Sequence, residues 1–101
     1  MMQSRRDQDA AMAVKTAILA LFGPDTIDHI DVLPGEDQAG EPALSVAVFL
    51  KAAQRRMSGA RLLDTIAAAA TALREIEDYR FPYVTFLAPE DESAEDTRPA
   101  A

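Results

Sequence analysis

Residues 43–50 read Ala-Leu-Ser-Val-Ala-Val-Phe-Leu, the clearest strand pattern in the sequence. Successive side chains of an extended strand point to opposite faces, so the stretch sorts into two sets. One face carries Leu44, Val46, Val48 and Leu50, and the other carries Ala43, Ser45, Ala47 and Phe49. The stretch therefore predicts a β-strand that buries its first, strongly aliphatic face and presents a more mixed second face.

A second strand is predicted just upstream of this stretch. Residues 27–33 are rich in β-branched side chains, which favour strands. Residues 34–42 contain two Gly and two Pro, which is typical of a loop. Two strands joined by a short polar loop indicate an antiparallel hairpin.

Amphipathic helices are predicted on both sides of the hairpin. Residues 7–22 place apolar side chains at helical spacing, and Gly23-Pro24 then ends the run. Residues 58–78, with Ser58 as the N-cap, carry one apolar stripe. The stripe consists of Leu62, Ile66, Ala69, Leu73 and Ile76. We expect Ile66 and Leu73 to be buried at its centre.

A third strand, 83–87, is predicted after a break at Arg80-Phe81-Pro82. The element order α-β-β-α-β predicts an α+β two-layer sandwich, a three-stranded sheet with two helices on one face. We expect one domain over residues 1–88. Residues 89–101 form an acidic tail without apolar periodicity, which predicts disorder.

Composition restricts the chemistry of this chain of 101 residues. It has no Cys, which excludes disulfides, thiolate nucleophiles and zinc–thiolate sites. It shows no signal-peptide core and no long apolar run, so we expect a cytoplasmic protein that does not enter a membrane. The net charge of −7 makes nucleic acid and anionic membranes unlikely partners.

A basic segment follows the central strand and contains no acid over residues 51–61. Its charged members are Lys51, Arg55, Arg56 and Arg61. Because it lies beside the predicted start of the second helix, it is a candidate site for an anion or an acidic partner. The acidic tail could also fold back on it, or it could be an ordinary solvated loop.

Two acidic clusters are weaker candidates. His29 and Asp31 share a strand face and could orient an imidazole or offer two metal ligands, but no third ligand is evident. Glu36, Asp37 and Glu41 crowd the hairpin loop without an EF-hand pattern. No phosphate-binding loop, dinucleotide fingerprint or hydrolase motif occurs. We therefore predict no catalytic residue, no metal site and no cofactor.

The order of elements over residues 7–87 resembles that of type II KH domains and that of a ferredoxin-like sandwich without its first strand. The first resemblance implies RNA or ribosome binding, and the second implies a small-molecule binding module. The GxxG loop of RNA-binding KH domains is absent. In the string Arg80-Phe81-Pro82-Tyr83, the aromatic rings could stack on bases, or they could pack a core and close the sheet.

Apolar residues occur on both faces of the predicted sheet, although two helices can cover only one. In the third strand, the free face carries either Tyr83 and Leu87 or Val84 and Phe86. In the central strand, the candidate interface is the face with Ala43, Ser45, Ala47 and Phe49. We therefore expect a non-catalytic interaction protein or regulatory partner that forms a homodimer or binds a larger protein through the sheet.

Overall fold

The predicted α+β class and element order are confirmed by the computed structural model, which describes residues 5–51 and 59–88. The elements are α1 (Arg5–Phe22), β1 (Ile27–Glu36), β2 (Pro42–Leu50), α2 (Gly59–Glu75) and β3 (Phe81–Leu87). The predicted Ser58 cap and the predicted tail both lie outside the described residues. Within the described residues, neither helix has the length and apolar character needed to cross a membrane.

The three strands form a single mixed sheet with β2 at its centre. β1 pairs with β2 in antiparallel fashion and places Ile30 opposite Val48, so the predicted hairpin is confirmed. β3 pairs with the other edge of β2 in parallel fashion and places Tyr83 opposite Ser45. The parallel pairing is possible because α2 lies between the two strands in sequence and provides the long crossover that parallel neighbours need.

Both helices pack on the aliphatic face of the sheet, as predicted. The core cluster draws on both helices and on the first two strands, with Val84 and Phe86 of β3 packed against it. Its helical members are Ala10, Val14, Ile18, Ala69 and Leu73, and its β2 members are Leu44, Val46, Val48 and Leu50. Removal of this aliphatic surface from water is the main force that joins the two layers.

The hairpin loop is shorter than the predicted 34–42, because both strands extend into that range. Asp37 organises the remaining turn. Its Oδ1 accepts hydrogen bonds at 2.9 Å from the backbone N–H groups of Ala39 and Glu41. Gly40 has a φ of 84°, a conformation that residues with a Cβ rarely adopt. The Asp37 side chain therefore satisfies backbone N–H groups of the turn that form no hydrogen bond between the strands.

Helix α2 ends at Glu75 rather than near Asp78, so the predicted end is wrong. The N–H of Glu77 donates to the carbonyl of Arg74 at 2.9 Å, and that of Asp78 donates to Leu73 at 2.9 Å. This pair of bonds is a Schellman motif, and Glu77 takes its left-handed position with a φ of 60°. This end of α2 was not recognisable from the sequence, because Glu77 occupies the left-handed position where Gly is usual.

The predicted buried stripe of α2 is partly wrong. Leu73 is fully buried, but Ile66 is only half-buried and Ile76, beyond the helix end, is exposed. Thr65 is buried instead, and its hydroxyl donates to the carbonyl of Arg61 at 2.7 Å. That bond satisfies the hydroxyl, which explains how a polar side chain can lie in the core.

Candidate functional site

The face of the sheet opposite the helices, here called the outer face, is the candidate site. The register places its side chains in cross-strand rows. The rows are Gly35, Ala43 and Phe81; Leu33, Ser45 and Tyr83; Asp31, Ala47 and Thr85; and His29, Phe49 and Leu87. The predicted interface residues of β2 do share this face. No helix among the described residues packs on it.

Exposed aromatic and aliphatic side chains dominate one end of the outer face. Leu33 is 61% exposed, Phe81 46% and Tyr83 47%. The rings of Phe81 and Tyr83 contact each other edge-to-face, with their centroids 4.6 Å apart. The structure therefore selects Tyr83 and Leu87, rather than Val84 and Phe86, as the residues of β3 that face outward.

The other predicted interface residues lie deeper in this face. Ala43 is buried, Ala47 and Phe49 are half-buried, and Ser45 is exposed. The small side chains of β2 therefore form the shallow centre of the outer face, and the larger side chains of the edge strands flank it. Leu33 and Phe81 were missed as interface candidates. Leu33 alternates with His29 and Asp31 inside the predicted first strand, so the sequence could have revealed it, whereas Phe81 becomes part of the pattern only when β3 is extended to its true start.

His29 and Asp31 share one strand face, as predicted, and the register shows that it is the outer face. His29 stacks on Phe49, with ring centroids 4.1 Å apart and an interplanar angle of 12°. Its Nδ1 lies 2.7 Å from Oδ2 of Asp28, not of Asp31. Within residues 5–51 and 59–88, no group of three potential ligands is positioned to hold a metal ion. The stacking on Phe49 makes the His29 ring part of the packed surface of this face.

An open cleft of about 660 Å³ lies where the hairpin loop meets the outer face. Ala43 and Ser45 of β2, Tyr83 of β3 and the residues Glu36 and Asp37 are among those that line it. The Tyr83 hydroxyl lies 3.5 Å from Oδ2 of Asp37. The cleft thus combines an aromatic ring with carboxylates beside exposed apolar surface.

The predicted basic cluster is not assembled by the described residues. Arg55 and Arg56 lie outside them, and only Lys51 and Arg61 are described. The guanidinium of Arg61 lies over the ring of Phe22, 4.6 Å from its centroid. This cation–π contact joins the first turn of α2 to the end of α1.

A buried ion cluster links the start of α1 to the connection before β3. The Nε and Nη2 atoms of Arg80 donate to the two carboxylate oxygens of Asp78 at 2.9 and 2.6 Å. The Nη1 atom donates to Asp7 at 2.8 Å. The side chains of Asp78 and Arg80 are only 1% and 11% exposed. The guanidinium of Arg80 is thus held by the carboxylates of Asp78 and Asp7. It does not form an exposed surface with Phe81 and Tyr83 on which bases could stack.

The electrostatics of the cluster follow from these bonds. The hydrogen bond from Arg80 holds the pKa of Asp78 below its ordinary value, although burial alone would raise it. The same bond raises the pKa of Arg80. Both groups remain charged at neutral pH. Sequence reasoning missed the cluster, because Asp7 is 73 positions from Arg80 and no local pattern connects them.

Comparison with known proteins adds information on the fold. No protein family and no curated protein sequence matches the chain. Among solved structures, it is similar to an acyl-CoA synthetase from Brucella canis, with a TM-score of 0.52 and 13% identity. An amide bond synthetase from Marinactinospora thermotolerans matches with a TM-score of 0.43 and 17% identity.

These matches cover 87% and 85% of this chain but only 18% and 17% of the two enzymes. The chain therefore spans less than a fifth of the length of either. At 13% identity, the likeness to the acyl-CoA synthetase shows a shared fold and nothing about activity. The chain is thus a small α+β unit whose arrangement also occurs inside a much longer polypeptide.

Proposed function

We propose that this chain is a non-catalytic interaction or regulatory protein that binds another protein through the outer face of its sheet. The observation that carries the proposal is the exposure of Leu33, Phe81 and Tyr83 together on the face of the sheet opposite the two described helices. Contiguous exposed apolar surface of this kind is typical of interaction sites. Aromatic side chains are also enriched at the energetic centres of protein interfaces.

The shape of the face supports a protein partner. The small side chains of β2, flanked by the larger side chains of the edge strands, give a shallow, open surface. Small-molecule sites, in contrast, are enclosed and bury most of their ligand. The cleft beside the hairpin loop remains the place where the alternative, a small-molecule binding module, would act. Occurrence of the fold inside a longer synthetase is in keeping with a unit that works beside other protein surfaces.

RNA binding has less support. The strands and hairpin loop carry no Lys or Arg, and Arg80 is held by Asp78 and Asp7. Proteins that bind nucleic acid surround their stacking rings with cationic groups, because the phosphates dominate affinity. The partner is therefore proposed to be a polypeptide, with a homodimer and a complex with a larger protein as the two forms that an experiment must separate.

The chain offers a matched pair of variants for this test. Leu33 on the outer face is 61% exposed, and Leu63 on α2 is 67% exposed. Each is changed to Gln, and the tagged proteins are used to capture partners from extracts of the native cell. We expect Leu33→Gln to lose captured proteins that Leu63→Gln retains. If both variants capture the same proteins as the unmodified chain, the outer face is not the binding site.

A further inference from the structure

We propose that the partner of the outer face is a basic polypeptide surface, on which Arg or Lys side chains lie among apolar ones. This inference rests on the proposed function, because it names the chemistry of the partner for the same face. Its starting point is the distribution of charge over the described residues rather than the exposure of the aromatic residues.

All formal charges on the sheet and its hairpin loop are negative. Neither residues 27–50 nor residues 81–87 contain a Lys or Arg. The acids of this region are Asp28, Asp31, Glu36, Asp37 and Glu41. In the described residues, the cations lie on the helices and the connections: Arg5, Arg6, Lys15, Lys51, Arg61, Arg74 and Arg80. The strands and hairpin loop that carry the outer face thus contribute carboxylates and no Lys or Arg.

This charge pattern argues against a second copy bound face to face. A two-fold interface brings the same patch of each chain together. Whatever the rotation, the strands and hairpin loop of one copy offer no Lys or Arg to pair with the carboxylates of the other. Like charges brought together are unfavourable and suppress a wrong partner, whereas a positive surface is attracted to the same face.

The cleft provides an anchor point for a cationic side chain. The ring of Tyr83 is half-exposed, and Glu36, an exposed residue at the end of β1, lines the same cleft. A guanidinium can stack on an aromatic face and pair with a carboxylate at the same time. Asp37 is less available, because its Oδ1 accepts two backbone bonds and its Oδ2 lies near the Tyr83 hydroxyl. Glu36 is therefore the carboxylate expected to pair with the partner.

The apolar neighbours of the cleft determine the rest of the partner. Leu33 lies in the same cross-strand row as Tyr83, and Phe81 contacts the Tyr83 ring. A partner that offered only cations would leave these side chains in water. A partner that offered only apolar groups would leave the carboxylates desolvated and unpaired, which is costly. The face therefore fits a surface with both kinds of side chain.

Three synthetic peptides test this chemistry in titrations of the isotopically labelled full chain, followed by amide chemical shifts. The first repeats the unit Arg-Ser-Leu, the second Glu-Ser-Leu and the third Arg-Ser-Ser. We expect the first to shift amides around Leu33, Ser45 and Tyr83 and to bind about tenfold more tightly than either other peptide. Added salt should weaken its binding, because exposed charges are screened.

Variants locate the anchor. Glu36→Gln and Tyr83→Ser should each weaken binding of the Arg-Ser-Leu peptide several-fold, whereas Glu75→Gln, an exposed carboxylate on α2, should leave it unchanged. Equal binding of the Glu-Ser-Leu peptide, shifts confined to the helices, or no binding at all would overturn the inference. If Leu33→Gln still loses its captured protein in that case, the interaction face stands and only the basic partner is wrong.

Discussion

Replacement of Asp78 by Asn tests the buried ion cluster. Asn keeps the size of the side chain but removes the charge that faces Arg80, whose guanidinium makes two bonds to it at 2.9 and 2.6 Å. Loss of one partner from a buried ion pair typically costs about 3–5 kcal/mol, because the other charge remains in a poorly solvated site. Since Asp7 still accepts one bond from Arg80, we expect about 3 kcal/mol.

The assay is urea unfolding at pH 7, with Asp28→Asn as the matched control. Asp28 also pairs at 2.7 Å, with His29, but both side chains are more than half exposed. Exposed ion pairs contribute little, so we expect the control to lose less than about 1 kcal/mol. Equal losses for the two variants, or a loss below about 1 kcal/mol for Asp78→Asn, would refute the role of the cluster.

The same variant has a pH signature. Folding lowers the pKa of Asp78, so its charge stabilises the folded state above the ordinary carboxyl pKa of about 4. This contribution is lost as the pH falls through the lowered pKa. The difference in unfolding free energy between the unmodified chain and Asp78→Asn should therefore narrow in acid. A difference that stays constant from neutral to acidic pH would show that the cost comes from packing alone.

Three further outcomes are expected from the fold. Glu77→Gly should raise the unfolding free energy by about 1 kcal/mol, since Glu77 occupies a left-handed position that Gly adopts freely; a loss of stability in urea unfolding would contradict the Schellman end of α2. Leu73→Ala should cost about 2–5 kcal/mol, and Ile66→Ala less than half as much, because only Leu73 is fully buried; equal costs would mean that the helix is rotated. Truncation after Ala88 should change the melting temperature by no more than a few degrees, because the tail carries no apolar face; a large decrease in a thermal scan would show that residues 89–101 stabilise the domain.

The fold was largely predictable because its decisive signals are local. The alternation in β2 defines its buried face, and Gly23-Pro24 marks the end of α1. The end of α2 was not predictable in this way, because Glu77 adopts a conformation that sequence patterns assign to Gly. The strand order was also open, since alternation reveals which face of a strand is buried but not which strand lies beside it.

The candidate site was predictable only in part. Alternation correctly placed Ser45 and Phe49 on the outer face. The predicted first strand already contained Leu33, on the same face as His29 and Asp31, but Leu33 was not named as a candidate, whereas Phe81 lay outside the predicted third strand. Arg80 illustrates a second limit. The sequence left open whether the string Arg80-Phe81-Pro82-Tyr83 stacks on bases or packs, because Asp7, which pairs with Arg80, is distant in sequence; in the structure the Arg80 side chain is only 11% exposed. Contacts between remote residues decide which charges are available, and a single sequence does not reveal them.

Site-specific photo-crosslinking in the native cell tests the interaction face most directly. A benzophenone amino acid replaces Tyr83 in one version of the chain and Leu63 in the other, since these side chains are exposed on the outer face and on α2 respectively. The account predicts a crosslink from position 83 to a partner protein and none from position 63, with a mass that differs from twice that of the chain. Crosslinks from position 63 and not from position 83 would contradict the account, because the contact would then lie on the helices and the sheet face would be free in the cell.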